Sequence, residues 1–197
     1  MTTATSARDQ HWRAAARTAR ALSWVSLLWM TGEGVLGLVA GGASGSVSLI
    51  GWALGSVIEG LAAVIVIWRF TGSRALSETA ESRATRAVAV SFFLLAPYLL
   101  VESTRRLFTG QQTDASTLGL AVTAASVVVM PALGIAKRRL GTRLASAATS
   151  GEGVQNLLCA AQAAAVGWWW VDPAVGLILA VVAVREGREA WRGDTCC

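Results

Sequence analysis

Apolar residues along this chain gather in long stretches separated by short basic segments. A helix needs about 17 to 25 mostly apolar residues to cross roughly 30 Å of hydrocarbon. Six stretches are candidates: 22 to 41, 47 to 68, 87 to 107, 117 to 136, about 144 to 167, and one from Asp172-Pro173 to about Glu189. The last begins with a good N-cap followed by a residue suited to the first helical position. Its strictly apolar part, 174 to 184, is short. Trp168, Trp169 and Trp170 supply an aromatic anchor at its outer end, and Arg185, Arg188 and Arg192 can snorkel at its inner end. The pattern predicts an all-α membrane protein with six transmembrane helices.

Composition agrees, because 54% hydrophobic and only 15% charged residues in 197 leave more apolar surface than a soluble domain can bury. Basic residues then set the orientation. Arg8, Arg13, Arg17 and Arg20 precede the first span; Arg69, Arg74, Arg83 and Arg86 lie between the second and third; Lys137, Arg138, Arg139 and Arg143 lie between the fourth and fifth; three more follow the sixth. Only Arg105 and Arg106 fall on the other side. Short Lys- and Arg-rich loops stay inside, so both N and C termini are expected in the cytoplasm. The same division accounts for the net charge of +5, and no nucleic-acid partner is needed to explain it.

No soluble domain fits. The expected organisation is a basic cytoplasmic segment over 1–21, a membrane domain over 22–192 and a tail over 193–197. The first apolar run is too long for a cleaved signal and leads into further spans, so residues 8 to 20 are expected to form an interfacial helix on the inner leaflet. One Lys against 16 Arg, with abundant Ala and Gly, hints at a GC-rich bacterium and hence its inner membrane. Small residues crowd the first two spans (Gly32, Gly34, Gly37, Gly51, Gly55, Gly60), which predicts close packing of that pair.

Chemistry is to be sought among polar groups inside the spans, since an ionisable side chain in hydrocarbon costs several kcal/mol. Glu33, Glu59, Glu102 and Glu152 qualify. The sole histidine, His11, lies outside the membrane, and the three cysteines form no disulfide framework: Cys159 is within the fifth span, and Cys196 and Cys197 close the chain as an expected free pair. Glu102 precedes Arg105 and Arg106 by three and four residues, the spacing of a surface ion pair. Pro97 and Tyr98 suggest a kink. The Arg-rich loops read as solvated topology determinants. No Ser, His and Asp set, phosphate loop or HExxH is present, which argues against an enzyme.

Two stretches resemble the cation diffusion facilitator family. Gly45-Ser-Val-Ser-Leu-Ile-Gly-Trp-Ala-Leu-Gly-Ser-Val-Ile-Glu59 resembles that family's second helix, and Trp169-Trp-Val-Asp-Pro-Ala-Val-Gly-Leu-Ile-Leu-Ala resembles the start of its sixth. The likeness covers the six-helix membrane domain but not the family's cytoplasmic C-terminal domain. It implies a homodimeric divalent-cation transporter, commonly a zinc exporter driven by proton entry, with ligand pairs at i and i+4 on helices two and five. Those pairs fall here on Gly55 with Glu59 and Gln155 with Cys159. Gly, Gln and Cys stand where the family carries Asp or His, so a typical four-ligand zinc site does not form from these positions.

Other groups offer a substitute, because Glu152, Gln155 and Cys159 share a helix face at i, i+3 and i+7. One reading has Glu59, Glu152 and Cys159 bind the metal ion, with Glu33 and Gln155 as outer ligands or proton carriers and the thiol favouring softer metals. The expected partners are membrane lipid, the divalent cation and a second copy of the chain in a homodimer; no resident cofactor is expected. Three alternatives stay open. Glu33 and Glu59 can be protonated and hydrogen-bonded across a helix pair, Cys159 can be a packing residue, and Gln155 with Asn156 can be interhelical glue. At the level of function, the rivals are a membrane interaction subunit with an eroded ion site and a proton-coupled exporter of organic cations using buried Glu beside Trp29 and Trp52.

Overall fold

The computed structural model describes residues 2–44, 47–110, 117–165 and 171–193, with side chains described over 10–43, 50–110, 121–165 and 171–193. Regular structure among the described residues is entirely helical: α1 Thr2–Ser44, α2 Val47–Arg69, α3 Glu78–Thr109, α4 Thr117–Leu144, α5 Ala147–Ala165 and α6 Val171–Arg192, with a 3-10 turn Gly72–Leu76 before α3. Four of the helices hold segments long and apolar enough to cross a membrane: Gln10–Ala43, Ile50–Arg69, Glu78–Thr109 and Ala121–Leu144. α5 is more polar, yet Thr149, Glu152, Gln155 and Asn156 are all buried, because this helix packs against α2, α3, α4 and α6. Polar groups are tolerated at membrane depth when protein surrounds them. The Trp168 to Trp170 cluster and Cys196-Cys197 lie outside the described residues.

Side-chain register shows that paired helices run antiparallel. Arg69 at the end of α2 meets Glu81 at the start of α3 at 2.6 Å, and Tyr98 late in α3 donates to the Gly51 carbonyl early in α2 at 2.6 Å. Arg106 likewise reaches Asp172 in the first turn of α6 at 2.6 Å. α1 lies along α2, α3 along α6 and α4 along α5. Ala62, Val66, Ala84, Val88, Phe92, Ala148 and Ala183 form the middle of the larger apolar core. Met30, Met130, Leu133 and Ala160 form a smaller one shared by α1, α4 and α5.

Several expectations change. The basic N-terminal segment is not a separate interfacial helix: α1 is continuous over 43 residues, about 65 Å long and twice the thickness of the hydrocarbon. Its Ala- and Arg-rich start propagates helix readily, and no Gly or Pro interrupts it before Gly32. Ala16 and Ala19 are buried, the Trp12 ring lies 6.3 Å from that of Phe70, and Arg20 donates to the Phe70 carbonyl. The segment therefore packs on the end of α2. Nor are all loop cations solvated. Arg69 is 6% exposed, held by Glu81, by the Arg74 carbonyl and over the Phe70 ring, and Lys137 is wholly buried inside α4. α3 continues as one helix through Pro97, and the Tyr98 hydroxyl ties that stretch to α2.

α4 turns into α5 within two residues. Ala145 adopts a left-handed conformation at φ 50, the Ser146 N–H bonds to the Gly141 carbonyl at 2.9 Å, and the Ala145 N–H bonds to the Thr142 carbonyl at 3.3 Å. This is the paired closure that commonly ends a helix. The Ser146 hydroxyl then accepts from the Thr149 N–H at 3.2 Å and caps α5. Returned so abruptly, the two helices touch backbone to backbone: a Cβ at Gly134 would stand 2.8 Å from the Gly153 carbonyl oxygen, and one at Gly153 would stand 2.8 Å from that of Gly134. The closest backbone approach at glycines is found here, while the expected packing of α1 on α2 is also present. α1 and α2 do pair, but Gly32 has nothing within 4 Å, and at Gly34 and Gly60 the nearest atoms are 3.8 and 3.7 Å away.

Gly153→Leu should therefore force α4 and α5 apart and destabilise the bundle by about 1–3 kcal/mol or more. Gly32→Ala should be neutral or stabilising by about 0.5–1 kcal/mol. Thermal unfolding of the two variants in one mild detergent checks the contrast.

Candidate functional site

Glu59 sits halfway along α2, within electrostatic reach of the Cys159 thiol on α5. One of its carboxyl oxygens, Oε2, is buried without a hydrogen-bond partner. An unpartnered carboxylate oxygen inside an apolar bundle is costly, so it calls for an explanation. Glu33 of α1 is close enough for its charge to act on both Glu59 and Cys159. Its own carboxylate is fully engaged: Trp29 Nε1 donates at 2.7 Å, Ser126 Oγ of α4 at 2.5 Å and Ser56 Oγ of α2 at 3.4 Å.

The helices explain why the set stops there. Gly55, one turn before Glu59, lies under the Tyr98 ring, and a Cβ at this position would stand 3.0 Å from Cε1 of that ring. An aromatic side chain fills the space a second ligand on α2 would need. Gln155, one turn before Cys159, donates to Ser91 Oγ of α3 at 2.7 Å, and its Oε1 is buried without a partner. Glu152 points elsewhere. It is two turns, about 10 Å, from Cys159 along α5, and its Oε1 pairs with Lys137 Nζ at 2.6 Å while Oε2 accepts from Ser23 Oγ at 2.6 Å.

The sequence thus nominated five residues; the structure brings Glu33, Glu59 and Cys159 within electrostatic reach of one another and turns Glu152 and Gln155 to other partners. Among the described residues no three His, Cys, Asp or Glu side chains converge as a metal-holding group.

What sequence reasoning missed is the surrounding of Glu152. Lys137 Nζ donates to Ser26 Oγ at 2.5 Å, to Glu152 Oε1 at 2.6 Å and to Asn156 Oδ1 at 2.9 Å, which uses all three ammonium protons. Asn156 Nδ2 in turn reaches Met130 Sδ at 3.5 Å. Lys137 is next to Arg138 and Arg139, and the basic run reads as a loop. The available signal was the spacing Ser126, Met130, Leu133, Lys137, at i, i+4, i+7 and i+11, which places the lysine on the buried face of α4.

A second ionic cluster occupies the opposite end of the bundle. Glu102 pairs with Arg105 at 3.0 Å and with Arg106 at 2.9 Å, and Arg106 continues to Asp172, which also takes a short hydrogen bond from Gln162. The expected surface ion pair is in fact a partly buried tie between α3, α5 and α6. Asp172, expected as an N-cap, lies inside the first turn of α6 and serves that tie. No protein-family model matches the chain.

A buried ion pair broken on one side leaves an uncompensated charge. Lys137→Met should therefore cost about 3–5 kcal/mol, and Lys137→Met with Glu152→Met should recover most of that loss. Unfolding of the two variants by titrated denaturing detergent measures the difference, and equal stability of wild type and Lys137→Met would deny the pair its structural weight.

Proposed function

We propose that this chain is a secondary transporter that carries a divalent cation across the cell membrane, with Glu59 and Cys159 as its ion-binding groups and a proton as the exchanged ion. The observation that carries this reading is the buried, unpartnered Oε2 of Glu59 beside the Cys159 thiol, between α2 and α5. Most buried ionic groups described in the bundle have saturated contacts; this carboxylate has capacity to spare. A proton and a metal ion are alternative ways to neutralise a carboxylate–thiol pair in low dielectric, and competition between them is the basis of exchange. The thiol suits softer ions such as zinc or cadmium. Glu33, hydrogen-bonded but within electrostatic range, tunes the pair.

The reading includes six spans, with α5 and α6 crossing alongside the four more apolar helices, and both termini in the cytoplasm on the basic side. It also includes the homodimeric assembly and the cation diffusion facilitator relationship that the α2 and α6 motifs suggest. A second reading, an interaction subunit with an eroded ion site, is favoured by one observation: no three acidic, thiol or imidazole groups converge among the described residues.

Vesicle flux separates these readings. Glu59→Gln keeps the shape and removes the charge, and it should abolish metal-driven transport. Glu78→Gln, an exposed first-turn residue of α3, should leave transport intact. Cys159→Ser should weaken cadmium transport more than manganese transport. Undiminished flux in Glu59→Gln at matched protein levels would remove the proposed site, and absence of metal flux in the wild type would leave the interaction subunit.

A further inference from the structure

The Lys137 ammonium sits in a cage of oxygens supplied by helices α1 and α5: Ser26 Oγ, Glu152 Oε1 and Asn156 Oδ1, all within 2.9 Å. A carboxylate, an amide carbonyl and a hydroxyl around one positive centre are also the donor set of a site for a hard divalent cation. The Glu152 carboxylate in the cage stays uncompensated unless a cation fills it: the ammonium balances it, and a divalent ion leaves one positive charge in excess, to be met by an accompanying anion or water. Glu152 is further held by Ser23, whose hydroxyl bonds to Oε2, so the anionic group remains placed if the ammonium leaves. Lysine is the side chain suited to such an occupant: a compact point charge on a flexible four-carbon stem, here reaching inward from a helix whose next two residues are arginines.

The cage also adjoins the first site. Asn156 contacts Met130, and Met130 belongs to the small apolar cluster against which Cys159 and Trp29 pack. Ser23, Ser26 and Glu33 follow one face of α1, so polar groups line that face from the cage towards the Glu33 carboxylate, with Met30 and Met130 between.

We infer that Glu152, Asn156 and Ser26 form a second cation-binding position, at the end of the bundle where α4 turns into α5, and that Lys137 occupies it as a tethered stand-in for the transported ion. An arriving divalent cation displaces the ammonium, which swings out along its stem. No bond is made or broken beyond exchange of one cation for another at the same oxygens. The inference extends the transport reading, but the position itself does not depend on Glu59.

Lys137 is the only lysine in the chain, so labelling by an amine-reactive reagent, read by peptide mass spectrometry, reports its exposure without engineering. The full chain in nanodiscs at one fixed pH, with manganese as the probe, should show Lys137 protected without metal and labelled several-fold faster at saturating metal. The same rise should appear in Glu59→Gln, whose own site is disabled. Glu152→Gln should abolish the metal response, because the cage has lost its charge. If that variant does not fold, Asn156→Leu, which removes one cage oxygen and leaves the ion pair, should shift the response to higher manganese concentration. Lys137 that stays protected at saturating manganese in folded Glu59→Gln would overturn the inference and leave the pair a structural bolt. Failure of the transport reading would show separately, as unchanged flux in Glu59→Gln.

Discussion

Inside a helical bundle surrounded by lipid, a charged side chain has to find its counterpart within the protein, and the Lys137–Glu152 pair is where this requirement is met most completely. Both residues are almost wholly inaccessible, at 0% and 1% exposure, and every ammonium proton has an acceptor. Desolvating two ions costs several kcal/mol for each, so the pair persists only with this degree of saturation. Saturation in turn fixes geometry. Ser23 and Ser26 have to come from α1, Asn156 has to lie one turn beyond Glu152, and α4 has to meet α5 closely enough for 2.6 Å contact. The turn at Ala145 and Ser146 and the backbone contact of Gly134 with Gly153 supply that closeness.

The same constraint sorts the remaining acidic groups by what they can do. Glu102 and Asp172 are neutralised by Arg105 and Arg106 together, and Glu81 by Arg69. Glu33 takes three hydrogen bonds from α1, α2 and α4 and so ties those helices together. Glu59 differs, since one of its oxygens is buried and faces no donor. The bundle satisfies its other interior carboxylates with hydrogen bonds or ion pairs and leaves this oxygen open, near a thiol, which is the feature the proposed exchange rests on.

Much of the architecture was legible in the chain, because long apolar runs and basic punctuation are strong signals: each predicted run falls on a helix, although α1 and α3 begin well before theirs and four of the six are long and apolar enough to span a membrane. Glu33 and Glu59 also stood out, as ionisable residues in the middle of apolar runs. Less visible were features that depend on which face of a helix meets which neighbour. Lys137 was hidden by its arginine neighbours, although its spacing from Ser126 and Met130 placed it inward. Glu152 and Gln155 share a face with Cys159 by spacing alone, but seven residues of α5 climb about 10 Å, and different helices meet each turn. Gly55 read as a lost ligand; in the fold it is the floor beneath Tyr98. Glycine content pointed to close packing of α1 on α2, which is present, but the tightest backbone contact lies between α4 and α5 after the turn at Leu144.

The central claim is that the Glu59–Cys159 pair holds either a proton or a cation, and proton release on metal binding tests it most directly. Purified protein in nanodiscs, in weakly buffered solution with a pH-sensitive dye, should release protons when cadmium is added, in proportion to the metal bound, and Glu59→Gln should bind less and release fewer. Cadmium binding with no proton release, or binding and release unchanged in Glu59→Gln, would contradict the account.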